Sequence, residues 1–170
     1  ISLEHLTLYS NQIIGVDLSK NIELTTLNLA YNDIPEIDVS DNINLESLHL
    51  YDNKLSEINI DNNLNLKQLY LFKNKITEID LSNNIKIIEL RLYENQLSEI
   101  NLSHNIALEF LALSDNQLTK IDLNDLLNLK ELTLTKNNLS TIDVSSNVNL
   151  EFLKLDPGVM CTGIKCSLQP

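Results

Sequence analysis

The chain contains very little glycine and no long apolar segment. Its 170 residues include only three glycines, too few for the glycine-rich loops that hold phosphate groups in nucleotide-binding proteins. No run of apolar residues approaches the roughly 18 that are needed to cross a bilayer as a helix. The sequence therefore predicts neither a phosphate-binding enzyme nor a segment that inserts into a membrane.

Positive charge is also scarce. The chain has 12 lysine and arginine residues against 24 acidic residues, a formal net charge of -12, and its basic residues are scattered. Affinity for a nucleic-acid backbone comes from clustered lysine and arginine. We therefore expect no nucleic-acid partner.

Groupings of residues that could perform catalysis are absent as well. The three histidines, His5, His49 and His104, lie far apart in the sequence. Their positions suggest no pairing with a serine, a cysteine or a carboxylate of the kind that acyl-transfer enzymes use. We expect no catalytic residue, no cofactor and no enzymatic activity.

Leucine and isoleucine, in contrast, are abundant and recur at a fixed spacing of 21 residues. Two further apolar columns follow the first by three and five residues, and an asparagine column follows it by eight. The unit is L-x-x-L-x-L-x-x-N-x-[IL]-x-x-[IV]-[DN]-[LIV]-[SDN]-x-N-[ILV]-x. The first apolar column is Leu3, Leu24, Leu45, Leu66, Ile87, Leu108, Leu129 and Leu150, and the asparagine column is Asn11, Asn32, Asn53, Asn74, Asn95, Asn116 and Asn137.

The L-x-L pair of each unit indicates a short strand. Alternate residues of a strand point to opposite faces, so both leucines face inward. One strand cannot bury its own apolar face, but stacked turns join the leucine columns into a continuous core. We expect about seven apolar residues per turn to pack in this core, and the asparagine amides to bond the backbone of each turn.

A second asparagine ladder runs through the later part of the unit. Only Leu126 interrupts it, so we expect the turn at residues 124–127 to be the most irregular. The members of this ladder are Asn21, Asn42, Asn63, Asn84, Asn105 and Asn147.

The repeated unit resembles the leucine-rich repeat family over nearly the whole chain. Seven full turns precede a partial eighth that starts at Leu150 and fades after Leu155. The second apolar run, Ile-Asp-Leu-Ser, stands in place of a helix and is most similar to bacterial cell-surface repeats, including internalin-like adhesins. The resemblance implies a mainly β, right-handed arc with a parallel sheet on its concave face and little or no α-helix. We expect a solenoid at residues 1–155 and a C-terminal cap or tail at residues 156–170.

The resemblance also implies where the protein acts. Proteins of this kind are secreted or displayed on bacterial surfaces, and their concave face is the usual ligand surface. The pattern is already under way at Ile1, with no polar cap before it, although end repeats normally need capping. We therefore expect the chain to be part of a longer extracellular or cell-surface protein.

The only two cysteines, Cys161 and Cys166, follow the turn signal Asp156-Pro157-Gly158. They could form a small disulfide loop, remain free thiols or supply half of a metal site. A four-ligand zinc site lacks further partners. The resemblance to secreted repeat proteins favours the disulfide, which forms in oxidising compartments.

All eight aromatic residues fall at outward positions beside the inner leucines. Two interpretations remain open. Strand positions favour aromatic residues, and rings on neighbouring strands stabilise a sheet. Exposed tyrosines are also good contact residues for proteins and sugars. The eight residues are Tyr9, Tyr31, Tyr51, Tyr70, Phe72, Tyr93, Phe110 and Phe152.

The richest part of the predicted concave face lies in the third to fifth turns. It combines aromatic residues with Arg91, the only arginine of the chain, and both residue types are enriched at binding hot spots. Towards the C-terminus the same columns become small and polar, so we expect a ligand to favour the middle and N-terminal part. The predicted binding residues are Tyr9, Tyr31, His49, Tyr51, Asp52, Tyr70, Phe72, Lys73, Arg91, Tyr93, Glu94 and Phe110.

Two acidic columns on the opposite face do not predict a metal site. Glu36, Glu57, Glu78 and Glu99 form one column, and the other consists of Asp17, Asp38, Asn59, Asp80, Asn101, Asp122 and Asp143. Calcium needs six to eight oxygens that converge on one point, whereas a column offers one carboxylate per turn. We expect no metal ion.

These observations predict a non-catalytic module that recognises a protein, for example in adhesion. A carbohydrate-binding accessory domain of a larger secreted protein is the alternative, since aromatic columns also bind polysaccharides. A passive spacer is a third hypothesis.

Asp52 and Glu94 lie two turns apart, about 9.6 Å by strand spacing. This distance is close to that between the two catalytic carboxylates of some glycosidases. We attribute the similarity to coincidence.

Overall fold

The computed structural model describes residues 2–168, which form a solenoid of about eight stacked turns. The strands follow one another every turn, as the 21-residue period predicts. Ten strands and one 3-10 helix are formed: β1 His5–Thr7, β2 Thr26–Asn28, β3 Ser47–His49, β4 Gln68–Tyr70, β5 Glu89–Arg91, β6 Phe110–Ala112, β7 Glu131–Thr133, β8 Thr141–Asp143, β9 Phe152–Lys154, β10 Met160–Thr162 and the 3-10 helix Ile164–Leu168. The prediction of a mainly β solenoid without α-helix is confirmed for these residues.

Eight of the strands form one parallel sheet in the order β1-β2-β3-β4-β5-β6-β7-β9. Each residue pairs with the residue 21 positions later, so that Leu6 lies opposite Leu27, and Leu27 opposite Leu48. The leucine at the centre of each strand points into the solenoid and is buried in β2 to β7 and in β9. The outer surface of this sheet is called the concave face below. In residues 2–168 no helix has the length and apolarity to cross a membrane.

The core consists of leucine, isoleucine and valine columns, and none of its side chains is aromatic. One apolar column of the repeat, however, does not belong to it. The expectation that about seven apolar residues per turn are packed inside is therefore wrong for that column, whose side chains are between 50% and 57% exposed. We call this column the aliphatic stripe; it comprises Ile22 52%, Ile43 53%, Leu64 50%, Ile85 53%, Ile106 57%, Leu127 55% and Val148 56% exposed.

The first asparagine column satisfies the backbone where each strand ends, as predicted. In the third turn, Nδ2 of Asn53 donates to the carbonyl oxygens of Leu29 and Leu50, both at 3.0 Å. Its Oδ1 accepts the backbone N–H of Ile34 at 3.0 Å. Because one side chain bonds three backbone groups in two turns, this asparagine joins neighbouring turns as well as capping its own.

The residue before each of these asparagines has a left-handed backbone conformation. Its φ lies between 54° and 57° in seven successive turns, and none of the seven residues is glycine. A left-handed conformation costs a residue with a Cβ roughly 1–2 kcal/mol, so the repeat carries this strain at each strand end. No glycine at these positions indicates the left-handed conformation in advance. The residues are Ser10, Tyr31, Asp52, Lys73, Glu94, Asp115 and Lys136.

The second asparagine ladder is bonded through its amide nitrogen only. In the fourth turn, Nδ2 of Asn84 donates to the carbonyl oxygens of Ile60 at 3.0 Å and Asn63 at 3.1 Å, whereas its Oδ1 is buried without a partner. Leu126 occupies the same position in the sixth turn, and its backbone N–H bonds the carbonyl of Leu123 at 3.0 Å as in the other turns. The expected irregularity at residues 124–127 is therefore wrong.

The C-terminal segment packs back on the last turns. Strand β10 pairs in parallel with β8, which places Cys161 opposite Ile142, and Cys161 is bonded to Cys166 with a Cα–Cα distance of 5.7 Å. The pairing of β10 with β8 joins residues that lie before and after the predicted boundary at residue 155. A separate cap at residues 156–170 therefore remains a proposal. Residues 1, 169 and 170, which the predicted limits include, lie outside the described residues.

Candidate binding face

Two stacks of side chains lie next to each other on the concave face. They arise because adjacent parallel strands are about 4.8 Å apart, a distance at which planar groups in one column contact face to face. The first stack occupies the position just after the second inner leucine, and the second stack occupies the position between the two inner leucines. We call them the tyrosine stack, Tyr51, Phe72 and Tyr93, and the histidine stack, His49, Tyr70 and Arg91.

The tyrosine stack is a continuous pile of three rings. The ring centroids of Tyr51 and Phe72 are 4.2 Å apart and those of Phe72 and Tyr93 are 4.3 Å apart, with planes 11° and 13° from parallel. Tyr31 contacts the open end of the pile with its edge, at 5.2 Å and 83° from Tyr51. Phe72 is covered on both faces and is only 9% exposed. The expectation that Phe72 is an exposed contact residue is therefore wrong.

The histidine stack is shorter and contains a cation. The rings of His49 and Tyr70 are 4.3 Å apart and 6° from parallel, and Cζ of Arg91 lies 4.8 Å from the centroid of the Tyr70 ring. Nε of Arg91 donates to Oε1 of Glu89 at 2.7 Å. A guanidinium held over a ring by a carboxylate loses little side-chain freedom when it binds a ligand.

Burial sets the protonation of these side chains. It raises the pKa of Tyr70 to about 12, with a further contribution from the hydrogen bond to Glu89. Burial also raises the pKa values of Tyr51 and Tyr93 and lowers the pKa of the His49 imidazole. Near neutral pH the phenols therefore keep their protons and His49 is neutral, so the rings of both stacks are uncharged.

The lysines near the stacks are paired with acids one turn earlier. Nζ of Lys67 lies 2.8 Å from a carboxylate oxygen of Glu46, and Nζ of Lys73 lies 3.7 Å from one of Asp52. Such exposed pairs contribute little to stability. Because carboxylates already neutralise these two lysines, the lysines attract an anionic ligand only weakly.

The remaining predicted site residues lie around the stacks. Asp52, Lys73 and Glu94 directly follow the three residues of the tyrosine stack and form its rim at the strand ends. Phe110 lies at the opposite edge, where it lines a shallow groove of about 510 Å³ that also includes Ile88. Tyr9 is exposed in the first turn, outside both stacks.

The acidic columns on the opposite face make local contacts. Oδ1 of Asp38 accepts the backbone N–H of Ser40 at 2.9 Å, and hydrogen bonds from the Ser40 side chain and backbone lower the pKa of Asp38. Asp80 has the same contact with Ser82 at 2.9 Å. Within residues 2–168 no three histidine, cysteine or acidic side chains are grouped as metal ligands.

Sequence reasoning left two uses of the aromatic residues open, a ladder of stacked rings and exposed contact residues. It placed them on the concave face but could not show that their flat faces contact one another. The spacing carried a signal for the ladder, because Tyr51, Phe72 and Tyr93 are 21 residues apart, as are His49, Tyr70 and Arg91.

Comparison with known proteins identifies structural relatives. No protein-family model matches the sequence, and no curated protein matches it significantly. Among solved structures, a leucine-rich repeat protein of Leptospira interrogans superposes with a TM-score of 0.84 at 28% identity, over 89% of this chain and 42% of that protein. The internalin InlF of Listeria monocytogenes gives a TM-score of 0.77 at 30% identity, over 89% of this chain and 47% of InlF.

A third similar structure is internalin C2 of Listeria monocytogenes. It has a TM-score of 0.66 and 23% identity, over 90% of this chain and 80% of that protein, and this likeness supports the fold alone. The chain spans less than half the length of the first two relatives.

Proposed function

Because the chain is a leucine-rich repeat protein of the short, internalin-like type, we propose that it is a non-catalytic module that binds another protein through its concave face. Members of such a family present a rigid sheet on which binding side chains are displayed. We further propose that the protein acts outside the cell or at a bacterial surface, in adhesion. The bond between Cys161 and Cys166 supports an oxidising compartment.

The two adjacent stacks carry this proposal. They place tyrosine, histidine and arginine side chains on three neighbouring strands, and tyrosine and arginine are the residues that most often dominate protein interfaces. Each side chain is already held by its neighbours in the stack. The side chains that a partner contacts are therefore already ordered. Little side-chain conformational entropy is lost on binding, which favours affinity.

The geometry disfavours the carbohydrate alternative. Sugar rings bind proteins by lying flat on an aromatic face, but the faces in the tyrosine stack are turned towards each other at 4.2 to 4.3 Å. Both faces of Phe72 and one face each of Tyr51 and Tyr93 are therefore covered by a neighbouring ring, which leaves mainly ring edges and hydroxyl groups for a ligand. Edges and hydroxyls suit the mixed polar and apolar surface of a protein.

The footprint of the partner is proposed to cover the second to fifth turns. Beyond Arg91 and Tyr93, the columns that hold the two stacks contain Ala112 and Ser114 in the next turn and Thr133 and Thr135 in the one after. Oγ1 of Thr135 donates to Oγ of Ser114 at 3.0 Å, so even these polar groups are satisfied within the protein. The C-terminal turns offer little for a partner to bind.

The test compares two double variants on an array of purified extracellular protein domains and on a glycan array. Tyr51→Ala with Arg91→Ala removes one anchor from each stack, and Thr133→Ala with Thr135→Ala is the control on the same face. For a protein ligand we expect the first variant to lose at least about 30-fold in affinity, the ratio for 2 kcal/mol. The control should change less than about threefold.

Two outcomes would overturn the proposal. Saturable glycan binding that is lost in the Tyr51 and Arg91 variant would assign the stacks to carbohydrate. Protein binding that is unaffected when Tyr51, Phe72, Arg91 and Tyr93 are all replaced by alanine would show that the concave face is not the site, and would favour a spacer.

A further inference from the structure

The aliphatic stripe defined above is an apolar row on the surface that runs through seven turns. Its seven side chains occupy one position in seven successive turns, and each is between 50% and 57% exposed. With turns about 4.8 Å apart, the stripe is roughly 29 Å long. Continuous apolar surface of this extent on a soluble domain usually marks a contact site.

The backbone beneath the stripe is held in register. Each stripe residue follows a position of the second asparagine ladder, whose amides bond the preceding turn; Asn63, for example, donates to the carbonyl of Asn42 at 2.9 Å. The stripe residues therefore follow one another at a regular spacing of one per turn. A surface that matches such a row along its full length must repeat at the same spacing.

The columns on either side of the stripe carry little net charge. Most of their members are neutral, and several asparagine side chains bond the backbone below, as when Nδ2 of Asn65 donates to the carbonyl of Ile43 at 3.2 Å and Nδ2 of Asn149 to that of Leu127 at 2.8 Å. The flanking residues are Lys20, Asp41, Asn62, Asn83, His104, Asp125 and Ser146 on one side, and Glu23, Asn44, Asn65, Lys86, Ala107, Asn128 and Asn149 on the other.

We propose that the aliphatic stripe is a self-association surface, on which the stripe of a second copy of the chain packs. A second copy supplies a row with the matching spacing. The chain as a whole has a net charge of -12, so two copies repel each other over most of their surfaces. The three acids and two lysines in the flanking columns leave this edge close to neutral, so two copies repel each other little here.

The available area sets the strength of the contact. Together with its two flanking columns, the stripe is about 15 to 20 Å wide, so a symmetric pair would bury roughly 1,000 Å² in total. This value lies at the lower end for specific interfaces. The dimer is therefore weak, forms reversibly with increasing concentration and leaves the concave face of each copy free.

Sedimentation equilibrium over a wide range of concentration tests the proposal. The average mass of the wild-type chain should rise from that of one copy towards that of two. Replacement of Leu64, Ile85 and Ile106 by asparagine should hold the mass at one copy throughout. The control replaces Ser56, Thr77 and Ser98, exposed residues of the same three turns, by asparagine and should dimerise as the wild type does. A wild-type chain that stays monomeric at every concentration, or a control that loses dimerisation equally, overturns the proposal.

Cross-linking provides a second measurement that does not depend on the stability of the triple variant. Both native cysteines are bonded to each other, so an introduced cysteine is the only free thiol. Ile85→Cys lies in the middle of the stripe, and Ile14→Cys, at a residue that is 75% exposed, lies outside it. Under mild oxidation we expect Ile85→Cys to form covalent dimers severalfold faster. Equal rates for the two variants contradict a contact through the stripe.

Discussion

The imidazole of His49 lies flat on the ring of Tyr70, with the two centroids 4.3 Å apart. Burial in this stack lowers the pKa of His49 below its usual 6.5, an effect that Glu89 opposes and Arg91 reinforces. In the unfolded chain the same histidine takes up a proton near pH 6.5. As the pH falls from 7.5 through 6.5, the unfolded state therefore binds the proton first, and the His49 contribution to stability is lost.

The measurement is an NMR titration of the His49 ring together with urea unfolding at pH 7.5 and 5.5. We expect the ring to titrate below 6.5, and the loss of stability at low pH to shrink in His49→Phe, which keeps the stack but cannot be protonated. An imidazole that titrates above 6.5 would contradict the proposed burial in the stack.

The two asparagine ladders should respond differently to the same substitution. In Asn95→Leu the backbone N–H of Ile76 and the carbonyls of Leu71 and Leu92 lose their side-chain partner. We expect a loss of about 2 to 4 kcal/mol of unfolding free energy, since each buried backbone group left unsatisfied costs about 1 to 3 kcal/mol.

Asn84→Leu, in the turn before that of Asn95, is the matched comparison. It removes two donated bonds but also an amide oxygen that is buried without a partner, and Leu126 already fills this position in the sixth turn. We expect a loss within about 1 kcal/mol. Urea unfolding of both variants checks the order, and an equal or larger cost for Asn84→Leu would show that the second ladder bonds the turns as strongly as the first.

Glycine at a left-handed position should stabilise the chain. Glu94 has a φ of 55°, and replacement by glycine removes the clash of its Cβ while it adds freedom to the unfolded chain. The net expectation for Glu94→Gly is a gain of roughly 0.5 to 1 kcal/mol. Glu94→Ala removes the charge but keeps the Cβ, so it should show no such gain in thermal or urea unfolding. A gain of equal size in both variants would assign the effect to charge.

Two glycines near the C-terminus allow a comparison of strain with steric overlap. Gly158 and Gly163 both have a positive φ, of 92° and 114°. A Cβ at Gly158 meets open space, whereas a Cβ at Gly163 would lie 2.8 Å from the backbone nitrogen of Ser145. Gly158→Ala should therefore cost about 1 to 2 kcal/mol, and Gly163→Ala should in addition separate β10 from β8.

Hydrogen exchange at the amide of Val144, which bonds the carbonyl of Thr162 at 2.9 Å, reports on that separation. We expect faster exchange in Gly163→Ala than in Gly158→Ala. Unchanged protection in both variants would indicate that the β8 and β10 pairing tolerates a side chain at residue 163.

The repeat made the fold predictable, because one inward pattern such as Leu27 and Leu29 recurs in every turn and admits one stacking solution. The same pattern placed the aromatic residues on the outer surface of the sheet. It could not show that Phe72 is enclosed by its neighbours, since a spacing of one period gives the distance between two rings but not their rotamers.

Two other features were hidden for different reasons. The left-handed residues, such as Lys73, carry no glycine, so local propensity gives no indication of them. The stripe residues, such as Ile85, have the same apolar type and the same period as the core. Their exposure depends on where the loop between two strands turns, which the period does not specify.

Every backbone partner in the large sheet is 21 residues away, and this rule constrains how such a protein can change in length. Deleting or inserting one residue inside a unit shifts all later side chains out of their columns. Removing or duplicating a whole unit, by contrast, returns each residue to a neighbour of the same kind. Evolution and engineering of this chain can therefore add or remove one complete coil at a time. Each added coil lengthens the solenoid and each removed coil shortens it, and the surface residues of that coil are gained or lost together.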